Sequence, residues 1–215
     1  MKRSTTLAGA GAIAFGVLTV VGFLGGTPGG NYDESTVADY ISGGHFPIVI
    51  ATGYLAIVGV VGLICLLAYL RELVGADQGR QMGANIVWGI GLASAASFAV
   101  GWGLVTGIAV AAAEGGGAAS VPHPVTYQLS DTSVNVLFGS GGIFLGLACI
   151  ALMLSTRGQL PGWLRWVTLV AGVLALAAPF YFPAFAIPLW AALFGVWLIA
   201  AGGRRPPTIG QASGS

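Results

Sequence analysis

Residues 46–70 read FPIVIATGYLAIVGVVGLICLLAYL, twenty-five positions without an acid, a base or a histidine. A bilayer's hydrocarbon core is about 30 Å thick, and at 1.5 Å per residue about 20 mainly apolar residues cross it as a helix. In lipid a helix satisfies every backbone donor and acceptor internally, so the apolar run needs no polar complement. Gly43-Gly44-His45 precedes it and Arg71-Glu72 closes it, so its edges are as clear as its interior. The run predicts a transmembrane helix.

The rest of the chain reads the same way. Of 215 residues, eight are Lys or Arg and seven are Asp or Glu, so 7% are charged against about 25% in soluble chains. With 56% hydrophobic residues and a mean hydropathy of +0.88, a soluble domain is excluded. The same ruler marks six stretches, 7–26, 46–70, 84–112, 133–155, 163–182 and 185–201. They predict an all-α polytopic transmembrane bundle of six helices over residues 1–201, with 202–215 as a flexible tail. Polar breaks separate the stretches: Asn31 to Ser35, Arg71 to Arg80, Glu114 to Gly117, and Ser155 to Gly158. The fifth break is uncharged, but Pro179, Pro183 and Pro188 remove backbone donors and predict a tight turn.

Lys and Arg are retained on the cytoplasmic side of a membrane. Lys2 and Arg3, Arg71 and Arg80, Arg157 and Arg165, and Arg204 and Arg205 all fall on one side of a six-span chain. Asp33, Glu34, Asp39, Glu114 and Asp131 fall on the other. Both termini are therefore expected to be cytoplasmic. Met1-Lys2-Arg3 before an apolar run also has the form of a signal peptide, but Gly22 to Thr27 lacks an Ala-x-Ala box, so residues 7–26 read as a span. Seven arginines against one lysine, among many alanines and glycines, point to a high-GC bacterial gene and nothing more; the expected location of the six-span chain is a bacterial plasma membrane.

Helices in lipid associate through small residues that let backbones approach. Gly22/Gly26, Gly103/Gly107 and Gly142/Gly146 predict a tight bundle and offer a face for a second copy. Tyr69 and Trp163 are expected as inner interfacial anchors, Tyr127 and Tyr181 as outer ones, and Trp88, Trp102 and Trp190 as packing residues. Thr52, Tyr54, Asn85, Ser94, Ser97, Thr106 and Asn135 are expected to hydrogen-bond between helices. The two halves share no motif, so no transporter-like repeat is read.

The spans hold no ionisable side chain in their interiors, which removes several mechanisms. Retinal proteins need a buried lysine, and Lys2 is the single lysine. Ion pumps need a buried carboxylate, and two-haem cytochromes need four axial ligands where this chain has His45 and His123, both outside the spans. Cys65 and Cys149 are isolated and lie inside spans, so they form neither a redox pair nor a zinc pair. Gly139-Ser140-Gly141 lacks the Gly-x-Ser-Gly form, since Phe138 stands two before the serine. A net charge of +1 without basic runs sets nucleic acid aside.

The remaining polar groups gather at the outer face. His45 opens the second span, His123 lies between Pro122 and Pro124, Glu114 ends the third span and Asp131 begins the fourth. A solvated polar face is the plain reading. His45 and His123 are the candidates for a Zn²⁺ or Cu²⁺ site, and a histidine beside Glu114 or Asp131 is the candidate acid/base pair. No ligand spacing such as His-x-x-x-His supports either, and no cofactor is expected.

The chain resembles six-helix bacterial, especially actinobacterial, membrane proteins grouped as domains of unknown function. The resemblance is carried by Gly29 to Tyr40, by Leu66-Leu67-Ala68-Tyr69-Leu70-Arg71, and by Leu160-Pro161-Gly162-Trp163-Leu164-Arg165-Trp166. It implies a six-helix fold and no particular reaction. The sequence favours a non-enzymatic membrane component that binds a lipid, a small apolar molecule or a protein partner. An enzyme acting on a lipid or isoprenoid at the outer interface and a small-solute transporter are the alternatives.

Overall fold

The structure, a computed structural model, describes residues 2–25, 45–76, 78–114, 124–156, 158–180 and 185–202. They form six helices: α1 (Lys2–Leu24), α2 (Phe46–Gly75), α3 (Gln81–Glu114), α4 (Pro124–Ser155), α5 (Gly162–Leu176) and α6 (Ala186–Gly202). Short 3₁₀ turns, Gln78–Arg80 and Ala178–Phe180, precede α3 and follow α5. The described residues contain no strand.

Four helices are long and apolar enough to cross a membrane, over Ser4–Leu24, Phe46–Gly75, Gln81–Val110 and Asn135–Ser155. The last two are shorter. Their 15 and 17 residues reach about 22 and 25 Å at the helical rise. The stretch expected to run to residue 182 leaves the α-helix at Leu176, where the 3₁₀ turn Ala178–Phe180 takes over around Pro179. Proline cannot supply the donor of the next turn. At α4 the hydropathy ruler errs in the other direction. The helix begins at Pro124 rather than residue 133, because proline suits a first helical position and the polar residues after it are no bar to helix.

Each helix packs antiparallel on its neighbour in sequence, and α1 also packs on α6, closing a ring whose thinnest seam is α5 against α6. Small residues set the close crossings. Gly11 of α1 faces the backbone of Gly62 of α2, and Gly146 of α4 faces Gly172 of α5, so a Cβ at any of these would strike the opposite main chain. Of the expected glycine pairs, Gly26 lies outside the described residues. Gly22 backs onto the Trp102 ring, and Gly142 and Gly146 onto Ala178 and the Gly172 backbone, so these three contribute to packing within the bundle. Gly103 and Gly107 do not: a Cβ at either meets nothing within 4 Å. Gly158, with φ of 83°, supplies the left-handed turn between α4 and α5.

The ring is filled with aromatic side chains. Phe15 meets Phe98 at 5.7 Å between centroids, Phe23 meets Trp102 and Phe138 at 5.2 Å each, and Trp102 meets Phe138 at 4.8 Å. These link α1, α3 and α4 across the centre. Trp102 and Trp190 are buried as expected, each 2% exposed, and Trp163 is exposed as an anchor would be.

The hydroxyls behave differently from expectation. Ser94 does cross to α4, donating to the Gly141 carbonyl at 2.7 Å. Thr52, Ser97 and Thr106 instead donate to carbonyls one turn back in their own helices, at 2.8, 3.0 and 2.8 Å. A threonine or serine always has that i−4 acceptor within reach, so it needs no second helix. The bond that secures the thin seam was not among those expected: Trp190 Nε1 of α6 donates to Thr168 Oγ1 of α5 at 3.0 Å.

Candidate functional site

Among the described residues, three places on the bundle bear on function. The first is the end where α2 and α4 begin, where the sequence gathers its histidines and carboxylates. His45 stands immediately before α2 and is exposed, and its carbonyl accepts from the backbone N–H groups of Ile48 and Val49 at 3.1 Å each. Its imidazole makes no capping bond to the helix. Glu114 is the last residue of α3 and Asp131 lies in the first turns of α4. The side chains of Glu114 and Asp131, and all of His123, lie outside the described residues. The antiparallel order brings the backbones of His45, Glu114 and Asp131 to one end of the bundle. Among the described residues no three His, Cys, Asp or Glu side chains gather as a metal site would require.

The second place lies deeper in the same half. Phe23, Asn135, Phe138, Gly139, Ala178, Pro179 and Phe185 enclose about 40 Å³ beside the α5–α6 seam. That is room for about one water molecule and far below the few hundred Å³ of a ligand pocket. Within the bundle, Thr19 Oγ1 and Trp102 Nε1 are buried without a hydrogen-bond partner.

The third place is at the opposite end. A cavity of about 380 Å³ opens between the last turns of α2 and the start of α3, lined by Ala68, Arg71, Glu72, Gly75, Ala76, Gln81 and Trp88. This volume is in the range of small-molecule sites. One of its lining residues is a cation held by two neighbours. The Arg71 guanidinium lies 5.8 Å from the centroid of the Trp88 ring, and its Nη2 donates to Asn85 Oδ1 at 3.4 Å. Both groups that hold it are neutral, so they orient the charge without cancelling it. Glu72, the next residue along α2, is exposed on the same cavity. Gln81 completes the opposite wall, with Oε1 only 3.2 Å from where a Gly75 side chain would begin.

The other described arginines of this end are committed elsewhere. Arg80 donates to the Ser155 carbonyl at 2.9 Å and Arg165 to the Met153 carbonyl at 3.3 Å, both at the carbonyl end of α4. There they satisfy acceptors that the helix itself leaves open. Arg71 is thus the guanidinium that faces the open cavity. A planar, permanently charged fork of N–H donors on an aromatic face suits a phosphate or carboxylate.

This site carries no motif: in the sequence Arg71 and Glu72 mark the end of a span and Trp88 reads as a packing residue. Trp88 does pack, being half-buried against the core, but its face also carries Arg71. One signal was available: an arginine and a tryptophan flanking a short connection between antiparallel helices must come to similar depth.

No protein-family model, no curated protein and no solved structure matches this chain.

Proposed function

We propose that this chain is a multi-pass bacterial plasma-membrane protein, with six spans and both termini cytoplasmic, that binds a phospholipid at its inner face without transforming it. The observation that carries this reading is the 380 Å³ cavity holding Arg71 over Trp88. It lies where two of the longest apolar helices, α2 and α3, turn back on each other. An oriented guanidinium offers a lipid phosphate charge-assisted N–H donors. The exposed apolar faces of the same helices, including Val58, Val61 and Ile64 on α2, would accompany the acyl chains.

An even number of spans leaves every basic residue on one side of the membrane, and helices as short as α5 and α6 are accommodated by local thinning of the bilayer. The resemblance to actinobacterial six-helix proteins agrees with this architecture. The test is native mass spectrometry of the full chain released from lipid nanodiscs. Stoichiometric retained phospholipid that is lost in Arg71→Ala supports the reading, and a lipid-free mass for the unaltered chain sinks it.

A further inference from the structure

We infer that the Arg71/Glu72 cavity selects a zwitterionic headgroup with a primary ammonium, of the phosphoethanolamine type. The inference rests on the lipid-binding reading above and adds the class of headgroup. A site for a purely anionic headgroup would surround the phosphate with cations, yet among the described residues that line this cavity a carboxylate, Glu72, stands next to the one guanidinium, Arg71. Glu72 repels a second negative charge and attracts a positive one. Arg71, held by the neutral pair Asn85 and Trp88, retains its full charge for the phosphate.

The ammonium then meets two acceptors. Glu72 and Gln81 both line the cavity, and Gln81 Oε1 lies close to Gly75, on the α2 wall. A primary ammonium carries three N–H donors for such acceptors. A quaternary ammonium carries none and is recognised instead by open aromatic faces. The aromatic ring here, Trp88, already has a guanidinium over its face. Choline is therefore disfavoured by the same contact that orients Arg71. A serine headgroup adds a carboxylate that Glu72 would repel.

The test uses the full chain in nanodiscs containing equal parts of phosphatidylethanolamine, phosphatidylcholine and phosphatidylglycerol, with retained lipids identified by native mass spectrometry. Phosphatidylethanolamine should be enriched about tenfold over the other two, as one charge-assisted hydrogen bond predicts. Glu72→Gln keeps the shape of the side chain and removes its charge. It should abolish that enrichment and raise phosphatidylglycerol, while Arg71→Ala should release all three. Both residues are exposed at a helix end, and size-exclusion profiles will check that the variants fold.

Retained lipid without headgroup preference, or with phosphatidylglycerol preferred by the unaltered chain, overturns the inference and leaves lipid binding standing. No retained lipid of any class overturns the lipid reading itself. Water-soluble phosphoethanolamine is the further arm. Displacement of the lipid only at large excess supports a membrane source, whereas equal competition overturns it in favour of a free solute.

Discussion

The Arg71 guanidinium rests on the face of Trp88, 5.8 Å from the ring centroid, and this contact turns a charge at the end of α2 into a directed one. A free arginine at this position would sample water and headgroups alike. Here the ring and Asn85 confine it to the cavity wall. A cation–π contact at a partly exposed site contributes about 0.5–1 kcal/mol. Trp88→Leu should therefore weaken lipid retention by roughly two- to fivefold, and Trp88→Phe by less. Titration of each variant in nanodiscs would measure this; a Trp88→Leu protein that retains lipid as well as the unaltered chain would show that the ring does not orient the arginine.

The glycine crossings make a sharper contrast. A methyl at Gly62 would strike the Gly11 backbone, whereas one at Gly103 meets nothing within 4 Å. Gly62→Ala must push α1 away from α2 and should lower stability by about 1–3 kcal/mol. Gly103→Ala should change it by less than about 0.5 kcal/mol, as substitutions away from packed features do. Unfolding in mixed micelles with rising denaturing detergent reads both. Equal effects would mean that the α1–α2 crossing is not where this arrangement puts it.

The seam between α5 and α6 depends on one polar contact. Thr168 is fully buried, donates to the Leu164 carbonyl at 2.8 Å and accepts from Trp190 at 3.0 Å. Thr168→Val keeps the volume but leaves the indole N–H buried without an acceptor. Interhelical bonds of this kind contribute about 0.6–1.7 kcal/mol in membrane proteins. A loss in that range is expected, and Trp190→Phe in the Thr168→Val background should add little beyond the change in ring size. A double-mutant cycle with no coupling would remove the bond from the account.

How much of this was legible in the sequence depends on the kind of interaction. The 46–70 run gives the start of α2 at Phe46, but the helix continues through Arg71 and Glu72 to Gly75, because hydropathy marks the apolar stretch and charged side chains do not end a helix. The end of α5 was misread by six residues, since Leu176 and Ala177 are as apolar as what precedes them and the change at Pro179 is a matter of backbone donors. The polar start of α4 was missed because hydropathy measures solubility in lipid, whereas Pro124 marks a helix start by geometry. Ser94 and Thr106 are similar residues on one helix, yet one bonds α4 and the other its own backbone. Only the angular position of each side chain around α3 separates them. The cavity was illegible for the same reason: it exists because the turn through Gln78–Arg80 sets Gln81 and Trp88 against the last turns of α2.

The histidines offer the test that separates binding from catalysis. His45 is exposed just ahead of α2, at the end of the bundle opposite Arg71. A protein that binds lipid through Arg71 should lose nothing when His45 and His123 are both changed to alanine: His45 lies outside the cavity that Arg71 lines, and the sequence is expected to place His123 at the same end as His45. The start of α2 is also expected to persist, since the backbone bonds from Ile48 and Val49 go to a His45 carbonyl that alanine retains. Lipid retention, thermal stability and metal content should thus match those of the unaltered chain. Loss of a stoichiometric zinc or copper ion, or failure to turn over an isoprenoid or phospholipid that the unaltered chain converts, would instead shift the functional centre to the His45, Glu114, His123 and Asp131 end.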